Sequence, residues 1–249
     1  DSHATGVGFW PVAGCASPQP LPDLFTAGDG ACVDAVLADY KKTASIIANK
    51  GYKYLSTPMV AWNMDWLRSF IQQACTGCTE PSCGCPSHVA WHFYASDCRP
   101  TELGGYADFQ NKLDKTVQLM EDFPFLQGAI VNEVGMLNCV QDGPDGGCIP
   151  NGPLQKYPAI NQPNHACPST DELPNGLASF VEKLVQMASA AKTSDGRSAV
   201  AAFSWFNENM AGGTYNLRLF DDSGNVNTLG EGYINACQAW GGKSTSVFV

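Results

Sequence analysis

Apolar residues recur at helical spacing in five stretches of the chain. Between residues 32 and 50, Val33, Leu37, Tyr40, Ala44 and Ile47 fall three or four positions apart, predicting a helix that Gly51 stops. The same spacing predicts helices over 62–74 (Trp66, Phe70 and Ile71 on one side) and 109–120 (Leu113, Val117 and Met120 inward). Two more are predicted over 177–191 and 230–240. Between them lie short runs rich in β-branched and aromatic residues, which predict strands near 5–9, 52–60, 88–94, 127–133 and 199–206. Residues 217–229 read as a hairpin around Ser223-Gly224, and 138–176 as a long loop rich in Gly, Pro, Asn and Cys. Strand–helix alternation of this kind implies an α/β fold with a parallel sheet. We find no internal repeat and no domain boundary, so 1–249 is expected to be one domain with 138–176 as an insertion.

The central stretch is Phe125-Leu-Gln-Gly-Ala-Ile-Val-Asn-Glu-Val-Gly-Met-Leu137. Its apolar centre predicts a buried strand with Asn132 and Glu133 at the carboxyl end, after which Gly135 lets the chain turn. Parallel α/β folds place catalytic carboxylates where a strand leaves the sheet; the bland reading is a hydrogen-bonded rim carboxylate. Polar and aromatic residues gather at the other strand ends too, with His92, Phe93 and Tyr94 on one, and Trp205, Phe206, Asn207 and Glu208 on the last. Carboxylates among Trp, Tyr and Asn suit a sugar, whose C–H faces stack on rings and whose hydroxyls pair with amides. Strand alternation requires about half of these aromatics to fill the core instead.

Charge narrows the partner. The chain carries 24 acidic and 14 basic residues, a net charge of −10, with no Lys/Arg cluster. Nucleic acid and anionic membrane surfaces need basic patches, so neither is expected, whereas a neutral polysaccharide is compatible. No apolar run is long enough to cross a membrane. Eleven cysteines imply an oxidising compartment, hence a secreted, disulfide-bonded chain. The group Cys75, Cys78, Cys83 and Cys85 favours disulfides, with a zinc site as the alternative that C-x2-C spacing permits. An odd count leaves at least one thiol free or bonded to another chain. No signal peptide precedes Asp1, so a mature chain or a piece of one is expected, and Asn-x-Ser/Thr sequons are absent.

Four stretches carry a family resemblance: Val131-Asn-Glu-Val-Gly135, Val89-Ala-Trp-His-Phe-Tyr94, Ser204-Trp-Phe206 and Leu219-Phe-Asp-Asp-Ser-Gly-Asn-Val-Asn-Thr-Leu-Gly230. Tyr54-Leu-Ser-Thr-Pro-Met-Val60 and the Cys75–Cys78 region fit the same pattern. From roughly Lys42 to Trp240 the chain resembles the carboxyl-terminal two thirds of glycoside hydrolase family 128, which has the alkali-sensitive-linkage type of catalytic core. The resemblance implies a (β/α)8 TIM barrel, secretion, no cofactor and retaining endo-hydrolysis of β-1,3-glucan. It implies Glu133 as nucleophile, with His92, Tyr94, Asn132 and Trp205 lining the sugar subsites.

Retention needs a second carboxyl about 5–5.5 Å away, acting first as acid and then as base. In the family this is the Glu of an Asn-Glu-Pro motif. Here Phe9-Trp10-Pro11 occupies that place, and no acid lies between Asp1 and Asp23. Glu208 is the best substitute by position; Asp97, Glu102 and Asp108 are weaker. Only five of eight barrel strands are found, so the first strands are expected to be missing, divergent or supplied by another chain. Two functions follow: a secreted β-1,3-glucanase, or an inactive hydrolase-derived protein that binds glycan or joins an extracellular, disulfide-linked or self-assembling complex.

Overall fold

The computed structural model describes residues 33–58, 64–95, 105–136, 176–206, 217–221 and 223–241. The expected strand near 5–9, residues 138–175 of the expected loop and Glu208 lie outside them. The elements are α1 (Val33–Asn49), α2 (Met64–Ala74), a 3-10 turn (Pro81–Cys83), β1 (Val89–Ala95), α3 (Gly105–Asp122), β2 (Ala129–Met136), α4 (Leu177–Ala190), β3 (Val200–Trp205) and α5 (Thr228–Ala239). The strands form one parallel sheet in the order β1-β2-β3. Helical crossovers between sequential strands account for that arrangement. Every helix expected from periodicity is present, with α3 starting four residues earlier than the apolar pattern suggests.

The sheet has three strands among the described residues, not the eight of a closed barrel. Of the stretch 52–60, expected as a strand, the described residues 52–58 contribute one parallel bridge, Ser56 to His88. Side chains supply what a full ladder would have given: Ser87 Oγ accepts from the Leu55 N–H, and Thr57 Oγ1 accepts from the Ala90 N–H. Hydroxyls that bond backbone in this way compete with regular pairing, which is why the β-rich composition did not yield a long strand here.

Two compact units divide the chain, residues 1–92 with 115–130, and residues 93–114 with 131–249. In the first, Leu67, Phe70 and Ile71 of α2 are fully buried and Tyr40 of α1 meets Phe70 edge to face at 4.8 Å. Tyr40 donates to the Ser56 carbonyl at 2.8 Å, and burial pushes its phenol well above the usual range. Gly51, at φ +83°, ends α1 as its place in the sequence predicts. Disulfides join Cys75 to Cys85 and Cys78 to Cys83, clamping the end of α2 onto the approach to β1. All four thiols of the alternative zinc site are thereby consumed.

In the second unit, Phe109 of α3 meets Phe93 of β1 edge-on at 4.9 Å and Phe203 of β3 edge-on at 6.3 Å. Helix α4 buries Phe180, Val181, Leu184 and Val185 and packs against α5, where Gly232 lets the two backbones approach Ala178 closely. The expected hairpin is a single antiparallel bridge, Phe220 to Val226, and the chain turns straight into α5 at Thr228.

Candidate functional site

Strand alternation decides which side chains can meet. In β1, Trp91 and Phe93 share one face while His92 and Tyr94 share the other. Phe93 and Phe203 both contact Phe109, so theirs is the helix-covered face. The Phe206 N–H donates to the Val134 carbonyl at 2.8 Å, which sets Phe206 level with Gly135 and Ser204 level with Glu133. Tyr94, Glu133, Gly135, Ser204 and Phe206 therefore share the opposite face.

On that face the Tyr94 hydroxyl donates to Glu133 Oε1 at 2.6 Å, joining residues 39 positions apart. This length is that of a charge-assisted bond from O–H to carboxylate. Both residues are partly exposed, and the Tyr94 ring meets Phe206 edge-on at 5.8 Å. A carboxylate so held is fixed in rotamer and direction, as nucleophilic work requires.

The turn expected at Gly135 is not there: β2 runs on to Met136, with Val134, Gly135 and Met136 all buried. Glu133 thus stands within the strand. Gly135 instead makes room, since a Cβ at that position would lie 2.9 Å from Tyr94 Cε1 and 2.8 Å from Leu217 Cδ1. A glycine inside a strand, two positions from the carboxylate and on its face, was the available signal of a close approach.

The other expected site residues are placed as follows. His92 is buried, at 1% exposure. Asn132 is exposed, and alternation puts it on the face opposite Glu133. Trp205 is 5% exposed and its indole donates to the Leu217 carbonyl at 2.9 Å. Asp108 is exposed on the first turn of α3, while Asp97 and Glu102 lie outside the described residues. Of these residues, the structure brings Glu133 and Tyr94 together. Phe206, one of the aromatics expected at the strand ends, and Ser204, which has no such expectation, share their face.

The 219–230 stretch does a different job. Asp221 Oδ1 accepts from the N–H groups of Ser223 and Asn225, and Asn225 Nδ2 donates to Oδ2; these bonds hold the Asp221 carboxyl below its ordinary range. Asn227 caps α5, accepting from the Gly230 N–H at 3.0 Å and donating to the Arg218 carbonyl at 2.7 Å. A Cβ on Gly230 would fall 2.3 Å from the Leu219 carbonyl oxygen, so the segment closes only with glycine there.

No cluster of His, Cys, Asp or Glu among the described residues has the arrangement of a metal site. Cys237 on α5 carries no disulfide and is half-buried; burial pushes its thiol up, against a smaller opposing effect from its hydrogen bond with Tyr233. Among the described residues, no helix is long and apolar enough to cross a membrane. Two disulfides fit an oxidising, extracellular setting.

No protein-family model and no curated protein matches the chain. Solved structures do resemble it. One is an oligosaccharide-binding protein of family GH128, subgroup VII, from Trichoderma gamsii, with 16% identity, a TM-score of 0.48 and coverage of 84% of this chain and 61% of that one. Another is a curdlan-specific exo-β-1,3-glucanase of subgroup III from Blastomyces gilchristii, in complex with glucose, with 14% identity, a TM-score of 0.46 and coverage of 81% and 61%. A third is an endo-β-1,3-glucanase of subgroup II from Pseudomonas viridiflava, with 19% identity, a TM-score of 0.47 and coverage of 81% and 62%. The chain thus spans about three fifths of the length of these proteins.

Proposed function

We propose that this is a secreted, glycoside hydrolase-like protein of (β/α)8 type that acts on β-1,3-glucan, with Glu133 as the nucleophile of a retaining mechanism. One observation carries the reading: Glu133 is partly exposed on the sheet face with its Oε1 held by the Tyr94 hydroxyl at 2.6 Å. In this mechanism a Glu133 oxygen bonds to the anomeric carbon as the glycosidic C–O bond breaks, and the leaving oxygen takes a proton from a second carboxyl. Water then attacks the glycosyl ester, giving its proton to that same carboxyl and freeing Glu133. Glu208 is the proposed donor by sequence position, with His92, which shares the Tyr94 face of β1, as a further subsite residue; Asn132 and Trp205, on the other face of the sheet, are left out of the subsites. General-acid assistance contributes typically about 10²–10⁴-fold, so a chain lacking it is slow on natural glucan.

Release of reducing ends from a soluble β-1,3-glucan, with Glu133→Gln beside the native chain, tests the proposal. Cleavage lost in the variant supports it; equal cleavage by both removes Glu133 from the role. A second reading, a hydrolase-derived protein that binds glucan without cutting it, is favoured by Phe9-Trp10-Pro11 standing where the acid motif belongs. Glucan binding by the native chain without any cleavage is its signature.

A further inference from the structure

We propose that Gly135 is a positioning residue for Glu133, acting through the Tyr94 ring; the proposal rests on the reading of Glu133 as nucleophile. The geometry is closed on two sides. A Cβ at residue 135 would sit 2.9 and 3.1 Å from Tyr94 Cε1 and Cδ1, and 2.8 Å from Leu217 Cδ1. Real Cβ contacts essentially never approach so near, so one neighbour must give way. Leu217 is itself buried, at 1% exposure, so its side chain has little room to withdraw. The Tyr94 ring, partly exposed, is the freer of the two, and its hydroxyl carries the bond to Glu133.

Residue 135 lies two positions beyond Glu133 on the same strand face, so its lack of a side chain is what lets the edge of the ring pass close over β2 and its hydroxyl reach the carboxylate. Hydrogen bonds weaken steeply with angle and length, and a ring displaced by a few tenths of an ångström at its base moves further at its hydroxyl. Gly135 touches neither Glu133's carboxylate nor a substrate; its effect on the reacting group passes through Tyr94.

The test reads the Glu133 carboxyl directly. The full chain, labelled with glutamate carrying ¹³C at the side-chain carboxyl, gives a Glu133 resonance that is assigned by its loss in Glu133→Gln. Tyr94→Phe is expected to displace it. Gly135→Ala is expected to displace it in the same direction, and adding Gly135→Ala to Tyr94→Phe is expected to move it no further, because the two act through one bond. A native resonance in folded Gly135→Ala, or full additivity in the double variant, overturns the proposal. If Gly135→Ala does not fold, Gly135→Ala/Leu217→Ala relieves the nearer clash and keeps the one with Tyr94; a native resonance there overturns it equally. The readout needs no catalysis. Absence of both glucan cleavage and covalent trapping at Glu133 in the native chain would end the nucleophile reading while leaving the Gly135–Tyr94–Glu133 linkage to stand or fall on its own.

Discussion

Asp221 and Glu133, both in the second unit, are each held by hydrogen bonds, and the way they are held differs. Asp221 takes its donors from within four residues of itself, the N–H groups of Ser223 and Asn225 and the amide of Asn225. Glu133 takes the Tyr94 hydroxyl from a separate strand, 39 positions away. A carboxylate satisfied by its own turn shapes that turn and has no need of the rest of the fold. One held across strands by a tyrosine needs the sheet to be built first, and the sheet presents it on a face. Both stretches carried the sequence resemblance, yet only one has the arrangement of a chemical site.

This contrast predicts separable effects, the largest at Glu133. Glu133→Gln is expected to abolish glucan hydrolysis while leaving the thermal midpoint near native, because the amide keeps the shape and still accepts from Tyr94. Asp221→Ala is expected to do the reverse, lowering the thermal midpoint with turnover per folded molecule unchanged. Loss of turnover in folded Asp221→Ala would break the distinction.

Opening the Cys75–Cys85 disulfide by Cys75→Ser/Cys85→Ser is expected to cost roughly 2–3 kcal/mol in denaturant unfolding, from the loop entropy released in the unfolded chain. That loss belongs to the first unit, so the Glu133 resonance is expected to stay in place. Asn227→Ala removes the α5 cap and is expected to cost about 1 kcal/mol, again without a change at Glu133.

The smallest effects are in pH. Asp221 has a folded-state pKa below its unfolded one, so its contribution is complete above about 4 and is lost as pH falls through the lower folded value. His88 is buried against Ser87 and Tyr54, and burial pushes its imidazole below the ordinary value. The unfolded chain then binds the extra proton, so stability declines as pH drops below about 6.5. Urea midpoints measured from pH 7.5 to 5 are expected to fall in the native chain and to flatten in His88→Gln.

Much of this was legible in the sequence. The helices followed from apolar spacing, Gly51 stopped α1, and the 75–85 cysteines paired with one another. Glu133 and Tyr94 were both singled out, but their contact depends on register, which spacing within one strand does not contain. Gly135 was taken for a turn because glycine after a polar pair often is one. The strand instead runs through it to Met136. Trp205 drew attention by its size, yet period two gives the Glu133 face to Ser204 and Phe206. The strand expected over 52–60 gave way to side-chain bonds from Ser87 and Thr57 that no hydrophobic pattern encodes.

The most direct measurement is covalent trapping with a 2-deoxy-2-fluoro β-1,3-glucosyl fluoride, followed by intact mass and peptide mapping. Fluoride leaves without a proton, so the trap works whichever carboxyl is the acid, and the 2-fluoro group slows hydrolysis of the glycosyl ester. The account predicts one added glycosyl group per chain, on the peptide containing Glu133 and absent from Glu133→Gln. A label on a different carboxyl, or none on a chain that cleaves glucan, would contradict it.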